Sequence, residues 1–253
     1  MGFTISVAGK GGVGKTTVAG LLVRHMVAGG HTPVLAIDAD PNSNLNEVLA
    51  VEVKMTLGDA AEEVVEGNVP TGMAKHDYLL YRAEQCLVES KGFDLLAMGR
   101  PEGPGCYCFT NNVLRDVVNR MCDQYPYLVI DNEAGMEHLS RRIMRQIDRF
   151  IIVSDPTVRG LGAADRIRQI MCELEIETGD VGLVVNRVQD GFSPALDEQI
   201  KSIGIPLLAT ISEDPTVREF DSQGRPLLEL PDDGPMATAI GEIAARIGIG
   251  RGK

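Results

Sequence analysis

The sequence predicts an α/β fold of the doubly wound type, a mostly parallel sheet with helices on both of its faces. Three observations support this fold class. Short apolar segments rich in β-branched residues alternate with longer segments of helical periodicity, the pattern of β-α-β units. A glycine-rich turn joins the first strand to the first helix. The 253 residues, 44% of them hydrophobic, suffice for one domain with a sizeable core, so we expect a single domain over residues 1–253.

The apolar segments give the predicted strands. They cover Phe3–Ala8, Pro33–Ile37, Phe93–Met98, Tyr127–Ile130, Phe150–Val153, Val181–Val185 and Leu207–Ile211. Helical periodicity predicts helices over Thr16–Val27, Asn112–Met121 and Gly162–Glu177. The last of these has a core face that consists of Ala164, Ile167, Ile170 and Met171. No internal repeat and no Ser/Gly linker divides the chain.

Four breaks in this pattern stand out. They are Asp40–Asn44, Gly99–Gly105, Asp131–Gly135 and Leu230–Gly234. Open α/β sheets bind ligands beyond the carboxyl ends of their strands, so we expect the first three breaks to lie at the functional site. The last break precedes the segment Met236–Lys253, where Ile240, Ile243 and Ile247 recur at helical spacing. We expect this segment to pack onto the parent domain.

The charge balance limits the partners of this chain. Its 24 Lys and Arg residues against 36 Asp and Glu residues give a net charge of −12, which disfavours binding to nucleic acid or to an anionic membrane. No apolar stretch approaches the length of a membrane span, and the chain begins without a secretory signal. We therefore expect a cytoplasmic protein that binds neither DNA nor a membrane.

The turn after the first strand matches the phosphate-binding pattern G-x-x-x-x-G-K-[ST]. Its residues are Gly9, Lys10, Gly11, Gly12, Val13, Gly14, Lys15, Thr16 and Thr17. The glycines let successive N–H groups point into one concavity, where the next helix presents its positive end. Lys15 is placed to neutralise the β and γ phosphates, and the Thr16 hydroxyl to coordinate Mg²⁺. The motif predicts a P-loop NTPase that binds a nucleoside triphosphate with Mg²⁺; the alternative is a glycine-rich turn without a ligand.

A second lysine, Lys10, lies inside this loop. The resulting K-G-G-x-G-K-[ST] resembles the deviant Walker A motif of an ATPase class. That class includes the nitrogenase iron protein, division-site and plasmid-partition ATPases, and metal-centre assembly ATPases. The resemblance implies slow ATP hydrolysis in a face-to-face homodimer, with Lys10 as a catalytic residue that reaches the phosphates bound by the partner subunit. The alternative is a solvated lysine at the tip of a loop.

Two later segments lie where this class has its switches. Asp38 and Asp40 follow the second strand on the same side of an extended chain. Asp38 is placed to orient a magnesium-bound water, and the resemblance implies that Asp40 positions the attacking water. Asp131 ends an apolar segment as in a Walker B strand, which implies another water-mediated contact to Mg²⁺. Gly135 resembles the switch II glycine that senses the γ phosphate. A lone acidic residue at a strand end is otherwise often a helix cap.

A late strand carries the candidate for adenine recognition. Val184–Arg187 resembles the asparagine-containing adenine segment of the class, and we expect Asn186 to bind the base. Pro206 and Glu213–Pro215 lie in the sequence region that usually closes over the base. Their individual contacts to adenine remain open at this point.

Only two of the five cysteines, Cys106 and Cys108, stand close together in the sequence. An odd number of cysteines, five, in a chain that we expect to be intracellular argues against a disulfide framework. Cys106 and Cys108 follow a glycine- and proline-rich loop, just before a helix that begins near Asn111 or Asn112. The helix dipole there favours thiolates. The other three, Cys86, Cys122 and Cys172, lie in helical or strand sequences, and we expect them to be buried.

A Cys-x-Cys pair can direct both sulfurs at one ion. Soft or borderline ions prefer four ligands in a structural site, and this loop supplies two. His138 is the nearest plausible third ligand and is distant in sequence. Two copies of Cys106 and Cys108 across a twofold axis would complete an S₄ site for Zn²⁺ or Ni²⁺. The alternatives are two exposed cysteines without a function, or a regulatory disulfide.

The motifs together resemble the CooC family, accessory ATPases for nickel insertion into carbon monoxide dehydrogenase, with relatives that serve acetyl-CoA synthase. The similarity rests on Gly105–Cys108, Asp131–Leu139 and the deviant loop, and it extends from Gly9 to about Pro215. It implies an ATP-dependent homodimeric metallochaperone with an apo form of one of these enzymes as its client. The chain lacks the C-P-x-C of iron–sulfur scaffold ATPases. The alternatives are a positioning ATPase that acts on DNA or a membrane, and an iron–sulfur carrier.

Overall fold

The computed structural model describes residues 2–99, 116–133, 146–173, 177–189 and 191–250. Within these ranges, eight strands form one sheet in the order β3-β4-β2-β5-β1-β6-β7-β8. The strands are β1 (Phe3–Gly9), β2 (Val34–Asp38), β3 (Leu87–Glu89), β4 (Phe93–Ala97), β5 (Tyr127–Asp131), β6 (Gln146–Ser154), β7 (Glu177–Val188) and β8 (Leu207–Ser212). Neighbouring strands are parallel except for β3, which is antiparallel to β4.

Helices cover both faces of this sheet. They are α1 (Lys15–Ala28), α2 (Leu45–Val48), α3 (Leu57–Val65), α4 (Lys75–Gln85), α5 (residues 116–122), α6 (Val158–Glu173), α7 (Pro194–Ile203), α8 (Pro215–Gln223) and α9 (Pro235–Arg246). One apolar cluster joins the sheet to α3, α4, α5, α6 and α7, and a second joins it to α1, α2, α8 and α9. The predicted doubly wound α/β fold is confirmed.

Coverage on both faces explains the composition of the central strands. Every residue of β2 is buried, as are Thr4–Gly9 of β1. A strand between two helical layers needs apolar residues on both sides, so its sequence is a continuous apolar run rather than an alternating one. This is why the central strands could be predicted from composition alone.

The predicted helix Gly162–Glu177 is wrong at both ends. The helix α6 begins earlier, at Val158, and ends at Glu173, whereas Glu177 is the first residue of β7. Backbone pairing with β6 begins at Glu177, so the sheet imposes an extended conformation on polar residues whose sequence reads as helical. The short edge strand β3 was not predicted, because its three residues are too few for a recognisable pattern.

The cysteine expectations are confirmed for two residues and wrong for the third. Cys86 and Cys122 are buried, whereas Cys172 is exposed. Cys172 follows the buried Met171 on α6, and the helical turn places consecutive residues on different faces.

The carboxyl-terminal helix packs against the sheet as predicted. Ile240, Ile243 and Ile247 are buried in the cluster that includes α1, and α9 also contacts β8. Within the described ranges, no helix is long and apolar enough to cross a membrane.

Candidate nucleotide-binding site

The carboxyl ends of β1, β2 and β5 meet at one edge of the sheet. Asp38 at the end of β2 is the register partner of Asp131 at the end of β5. Asp131 in turn pairs with Val7 of β1, two residues before the phosphate loop begins at Gly9. The sheet therefore brings both predicted magnesium-site aspartates beside the predicted phosphate loop.

The phosphate loop depends on glycine at positions where a side chain does not fit. Gly14 is the N-cap of α1 with φ of 94°, a left-handed conformation that favours glycine. A Cβ on Gly9 would lie 2.3 Å from the Val153 carbonyl oxygen. Val13 is buried between these glycines and anchors the loop to the core.

The two lysines of the loop have opposite environments. Lys15, at the start of α1, is 7% exposed, whereas Lys10 is exposed to solvent. A buried lysine beside loop N–H groups can neutralise phosphates bound in the same subunit. An exposed one at the outer surface of the loop is free to reach beyond its own chain.

Asp131 is a buried carboxylate with spare bonding capacity. It is 1% exposed, and its Oδ1 has no hydrogen-bond partner among the residues that the structure describes. Burial raises the pKa of Asp131 to about 7, although a hydrogen bond with the Thr16 side chain and the nearby Lys15 charge act to lower it. A buried carboxylate oxygen without a partner, next to a threonine hydroxyl, suits a Mg²⁺ ion with its bound waters.

Asp38 holds the segment that follows β2. Its Oδ1 accepts a hydrogen bond from the Asp40 backbone N–H at 3.1 Å, and its Oδ2 accepts one from the Leu45 N–H at 3.0 Å. Burial raises the pKa of the Asp38 carboxyl to about 6, and these N–H groups partly offset that effect. Asp38 thus fixes the loop that carries Asp40.

Asp40 itself is partly exposed. Its Oδ1 accepts hydrogen bonds from the backbone N–H of Asn42 at 2.9 Å and from the Asn42 side-chain amide at 3.1 Å. These bonds set the direction of the Asp40 carboxylate.

A cavity of about 270 Å³ adjoins the phosphate loop. Its walls include Gly14, Thr17, Asn186, Arg187, Asp214 and Met236. Asn186 is buried, and its side-chain amide donates to the Val13 carbonyl at 2.8 Å. The cavity is therefore linked to the phosphate loop by a direct hydrogen bond, and its position suits the base of a bound nucleotide.

Pro206 does not belong to this cavity, contrary to the expectation. It immediately precedes β8, where the Leu183 N–H donates to its carbonyl, and it lines a different cavity with Arg149 and Arg246. The amino end of a parallel strand lies at the sheet edge opposite to the phosphate loop. Asp214, by contrast, follows the carboxyl end of β8 and lines the base cavity.

Several predicted residues lie outside the described ranges. They are Gly135, Cys106, Cys108 and His138. Among the residues that the structure does describe, no group of three or more His, Cys, Asp or Glu side chains could hold a metal ion. The sulfur site stays a prediction.

Asn132 also lies at this edge of the sheet, and the sequence alone did not predict a role for it. Asn132 is buried after β5, and its side-chain amide donates to Ser6 Oγ at 2.8 Å and to the Val7 carbonyl at 2.7 Å. These bonds tie the segment after Asp131 to β1. The only sequence signal was an amide residue directly after a buried acidic strand end.

A model of the CobQ/CobB/MinD/ParA nucleotide binding domain matches residues 4–227. The chain belongs to this family. An uncharacterized ATP-binding protein of Methanocaldococcus jannaschii is 42% identical over 247 residues, which cover 96% of this chain and 97% of the relative. Members of this family with the phosphate loop described above are ATP-binding P-loop ATPases, and this chain is one of them.

Two further proteins that are similar to this chain have more specific names. The carbon monoxide dehydrogenase accessory protein CooC of Rhodospirillum rubrum is 34% identical over 211 residues, which cover 72% of this chain and 78% of CooC. The septum site-determining protein MinD of Pyrococcus horikoshii, solved in complex with Mg-ADP, superposes with a TM-score of 0.72 at 25% identity, covering 98% of this chain and 96% of MinD.

Proposed function

We propose that this ATPase is a homodimeric metallochaperone that assists nickel insertion into carbon monoxide dehydrogenase or acetyl-CoA synthase. The observation that carries the proposal is the 34% identity to CooC over 72% of the chain. The Cys106-x-Cys108 pair supplies a chemical reason, because thiolates are suitable ligands for Ni²⁺ or Zn²⁺. The metal is the cargo of the protein, and ATP with Mg²⁺ drives its transfer.

The nucleotide half of the function uses the described edge of the sheet. Gly9–Thr17 hold the phosphates, with Lys15 neutralising their charge and Asn186 beside the base. Thr16 would hold Mg²⁺, and Asp38 and Asp131 would contact it through water. Asp131 Oδ1, which has no hydrogen-bond partner in the described part of the chain, supports this placement. When bound, Mg²⁺ supplies positive charge against the phosphate oxygens.

Hydrolysis requires a water directed at the γ phosphate. We assign this task to Asp40, whose loop is held by the two hydrogen bonds to Asp38. Gly135 senses the γ phosphate through its backbone N–H. Lys10 comes from the partner subunit, and its exposure in a single copy supports that role.

Dimer formation joins the two halves of the function. ATP draws two subunits together through Lys10, and this brings two pairs of Cys106 and Cys108 around one Ni²⁺ or Zn²⁺ ion. Metal and nucleotide affinities are then coupled in both directions. Hydrolysis loosens the dimer and releases the ion to the client enzyme. We further propose that residues 1–253 act as a single ATPase domain in the cytoplasm, without DNA or membrane binding.

The thiol variants Cys106→Ser and Cys108→Ser test the metal site. We expect each to abolish binding of Ni²⁺ or Zn²⁺ and to leave ADP binding by the monomer within about twofold, because thiolate ligands bind these ions far better than hydroxyls. Metal analysis after equilibrium dialysis measures the first effect and calorimetry the second. Cys172→Ser is the matched control, since Cys172 is an exposed thiol on α6.

Three outcomes of this experiment separate the candidate functions. Unchanged metal binding in both variants contradicts the proposal. Joint loss of metal and ADP binding means that the cysteines support the fold instead. A brown protein with visible absorbance after anaerobic reconstitution indicates an iron–sulfur carrier.

A second candidate is a positioning ATPase, favoured by the similarity to MinD of Pyrococcus horikoshii. Such a protein would act as an ATP-dependent switch on DNA or a membrane. Co-sedimentation with DNA or with anionic liposomes in the presence of ATP tests it. The net charge of −12 leads us to expect neither interaction, and ATP-dependent sedimentation with either one would favour the second candidate.

A further inference from the structure

Asp214 joins the beginnings of two helices. It is the N-cap of α8, where its Oδ1 accepts a hydrogen bond from the Thr216 N–H at 2.9 Å. Its Oδ2 accepts one from the Met236 N–H, in the first turn of α9, at 3.3 Å. One carboxylate therefore bonds with two helices, and its bond to α9 joins residues that are 22 apart in the chain.

This arrangement compensates for a missing cap on α9. The N-cap residue of α9 is Gly234, which has no side chain to accept a hydrogen bond from the first turn. Free N–H groups at a helix start need an acceptor when they are buried. The Met236 N–H bond is buried, so Asp214 supplies from another element the acceptor that α9 lacks.

The same two helices form one wall of the base cavity. Asp214 and Met236 line the cavity together with Gly14 and Thr17 of the phosphate loop. Asp214 is only 8% exposed, so its carboxylate is fixed by its surroundings. The position of this wall relative to the phosphate loop depends on how α8 and α9 are held together.

We propose that Asp214 is a positioning residue for the nucleotide base, because its carboxylate fixes α8 and α9 against each other and thereby sets the width of the base cavity. The inference rests on the proposed placement of the nucleotide. It adds a role for the carboxyl-terminal helix, since the first turn of α9 becomes part of the binding site. Without the carboxylate, α8 and α9 each lose one hydrogen bond, and the cavity no longer has the width that the base requires.

A pair of ligands separates this role from a general effect on stability. Mg-ADP carries both base and phosphates, whereas Mg-pyrophosphate occupies the phosphate loop alone. We expect Asp214→Ala to raise the dissociation constant of ADP about tenfold, as the loss of hydrogen bonds to a charged acceptor would. We expect less than a twofold change for pyrophosphate. Calorimetry on the full chain measures both constants.

Asp214→Asn gives a finer version of the same test. The asparagine oxygen can still cap α8, but its amide group would face the Met236 N–H, so only the bond to α9 is lost. We expect the ADP dissociation constant of Asp214→Asn to lie between that of the wild type and that of Asp214→Ala. This variant also keeps the test usable if Asp214→Ala does not fold.

The matched control is Asp59→Ala. Asp59 Oδ2 accepts a hydrogen bond from the Thr56 N–H at the start of α3, and α3 lies beside β4, at the other end of the strand order from β8. We expect wild-type affinity for both ligands from this variant. Equal losses of ADP and pyrophosphate binding in Asp214→Ala, or no loss of either, would overturn the inference. A wild-type protein that binds neither ligand would instead contradict the proposed function.

Discussion

Lys10 and Asp131 show how exposure divides the roles of charged residues at one sheet edge. Lys10 is exposed, whereas Asp131 is almost completely buried. Burial shifts the pKa of a titratable group, because it disfavours the charged form, and a buried side chain can act only on groups beside it. An exposed charge on a loop stays hydrated, so it carries no desolvation penalty, and it can act on a second molecule. The following two predictions concern these residues.

Lys10→Ala should stop hydrolysis without affecting the single subunit. We expect the turnover number to fall about 100-fold or more, because a cation supplied by a partner contributes about 10³–10⁵-fold in related phosphoryl transfers. ADP affinity should stay within about threefold, since the Lys10 side chain is exposed and its proposed role is at the phosphates of the partner subunit. Steady-state ATPase assays and ADP calorimetry measure both, with the exposed Lys91→Ala as control. Unchanged turnover in Lys10→Ala would contradict its role.

Asp131→Asn should stabilise the protein without nucleotide, and more so at higher pH. The folded carboxyl keeps its proton up to about pH 7, whereas its ordinary pKa is 3.8, so this group's contribution to wild-type stability is lost as pH rises through that range. Asparagine resembles the protonated form at every pH. We expect its advantage in free energy of unfolding to grow by about 2–3 kcal/mol between pH 5 and pH 8.

Urea denaturation of wild type and Asp131→Asn at several pH values measures this difference. A constant difference across the range would show that the Asp131 proton is lost equally in the folded and unfolded states. The same variant should weaken Mg-nucleotide binding, because it removes the charge that suits the ion. Stability and function therefore oppose each other at this residue.

The phosphate loop shows how one element couples two parts of the site. Gly14 is the N-cap of α1, and a Cβ there would lie 2.5 Å from the side-chain nitrogen of Asn186. That nitrogen donates to Val13 in the same loop. The loop and the base cavity are therefore fitted to each other through a single amide group.

Gly14→Ala should be more costly than Gly12→Ala. Both glycines have positive φ, 94° and 78°, but a Cβ on Gly12 would have nothing within 4 Å. We expect about 1 kcal/mol from backbone strain at Gly12 and about 1–2 kcal/mol more at Gly14, where the Asn186 amide must move. Urea denaturation without nucleotide measures both costs. Equal costs would mean that the amide adjusts freely.

The elements differ in how far the sequence determines them. Buried strands such as β2 need apolar residues on both faces, so their composition identifies them. Glu177 at the start of β7 is polar, and only its pairing with β6 makes it extended. The short strand β3 forms along an edge for the same reason. Local sequence patterns predict elements whose residues are buried in the core. They do not predict elements whose extended conformation depends on backbone pairing with a neighbouring strand.

At the scale of the whole molecule, the sheet collects residues from distant parts of the sequence at one edge. The motif order was enough to predict that Lys15, Asp38 and Asp131 lie together, because successive parallel strands end at the same edge. The link from Asp214 to Met236 was not predictable. It joins two helices through one carboxylate, and neither helix shows this in its own sequence.

The coupling between nucleotide binding and metal binding tests the proposed metallochaperone dimer most directly. Ni²⁺ or Zn²⁺ is titrated at equilibrium into the full chain, with and without a nonhydrolysable ATP analogue, while light scattering gives the mass of the particle. We expect the analogue to produce a dimer that holds one ion and binds it about tenfold or more tightly, as coupling between sites of this kind allows. Identical affinity, stoichiometry and dimer fraction in both titrations would contradict the proposal.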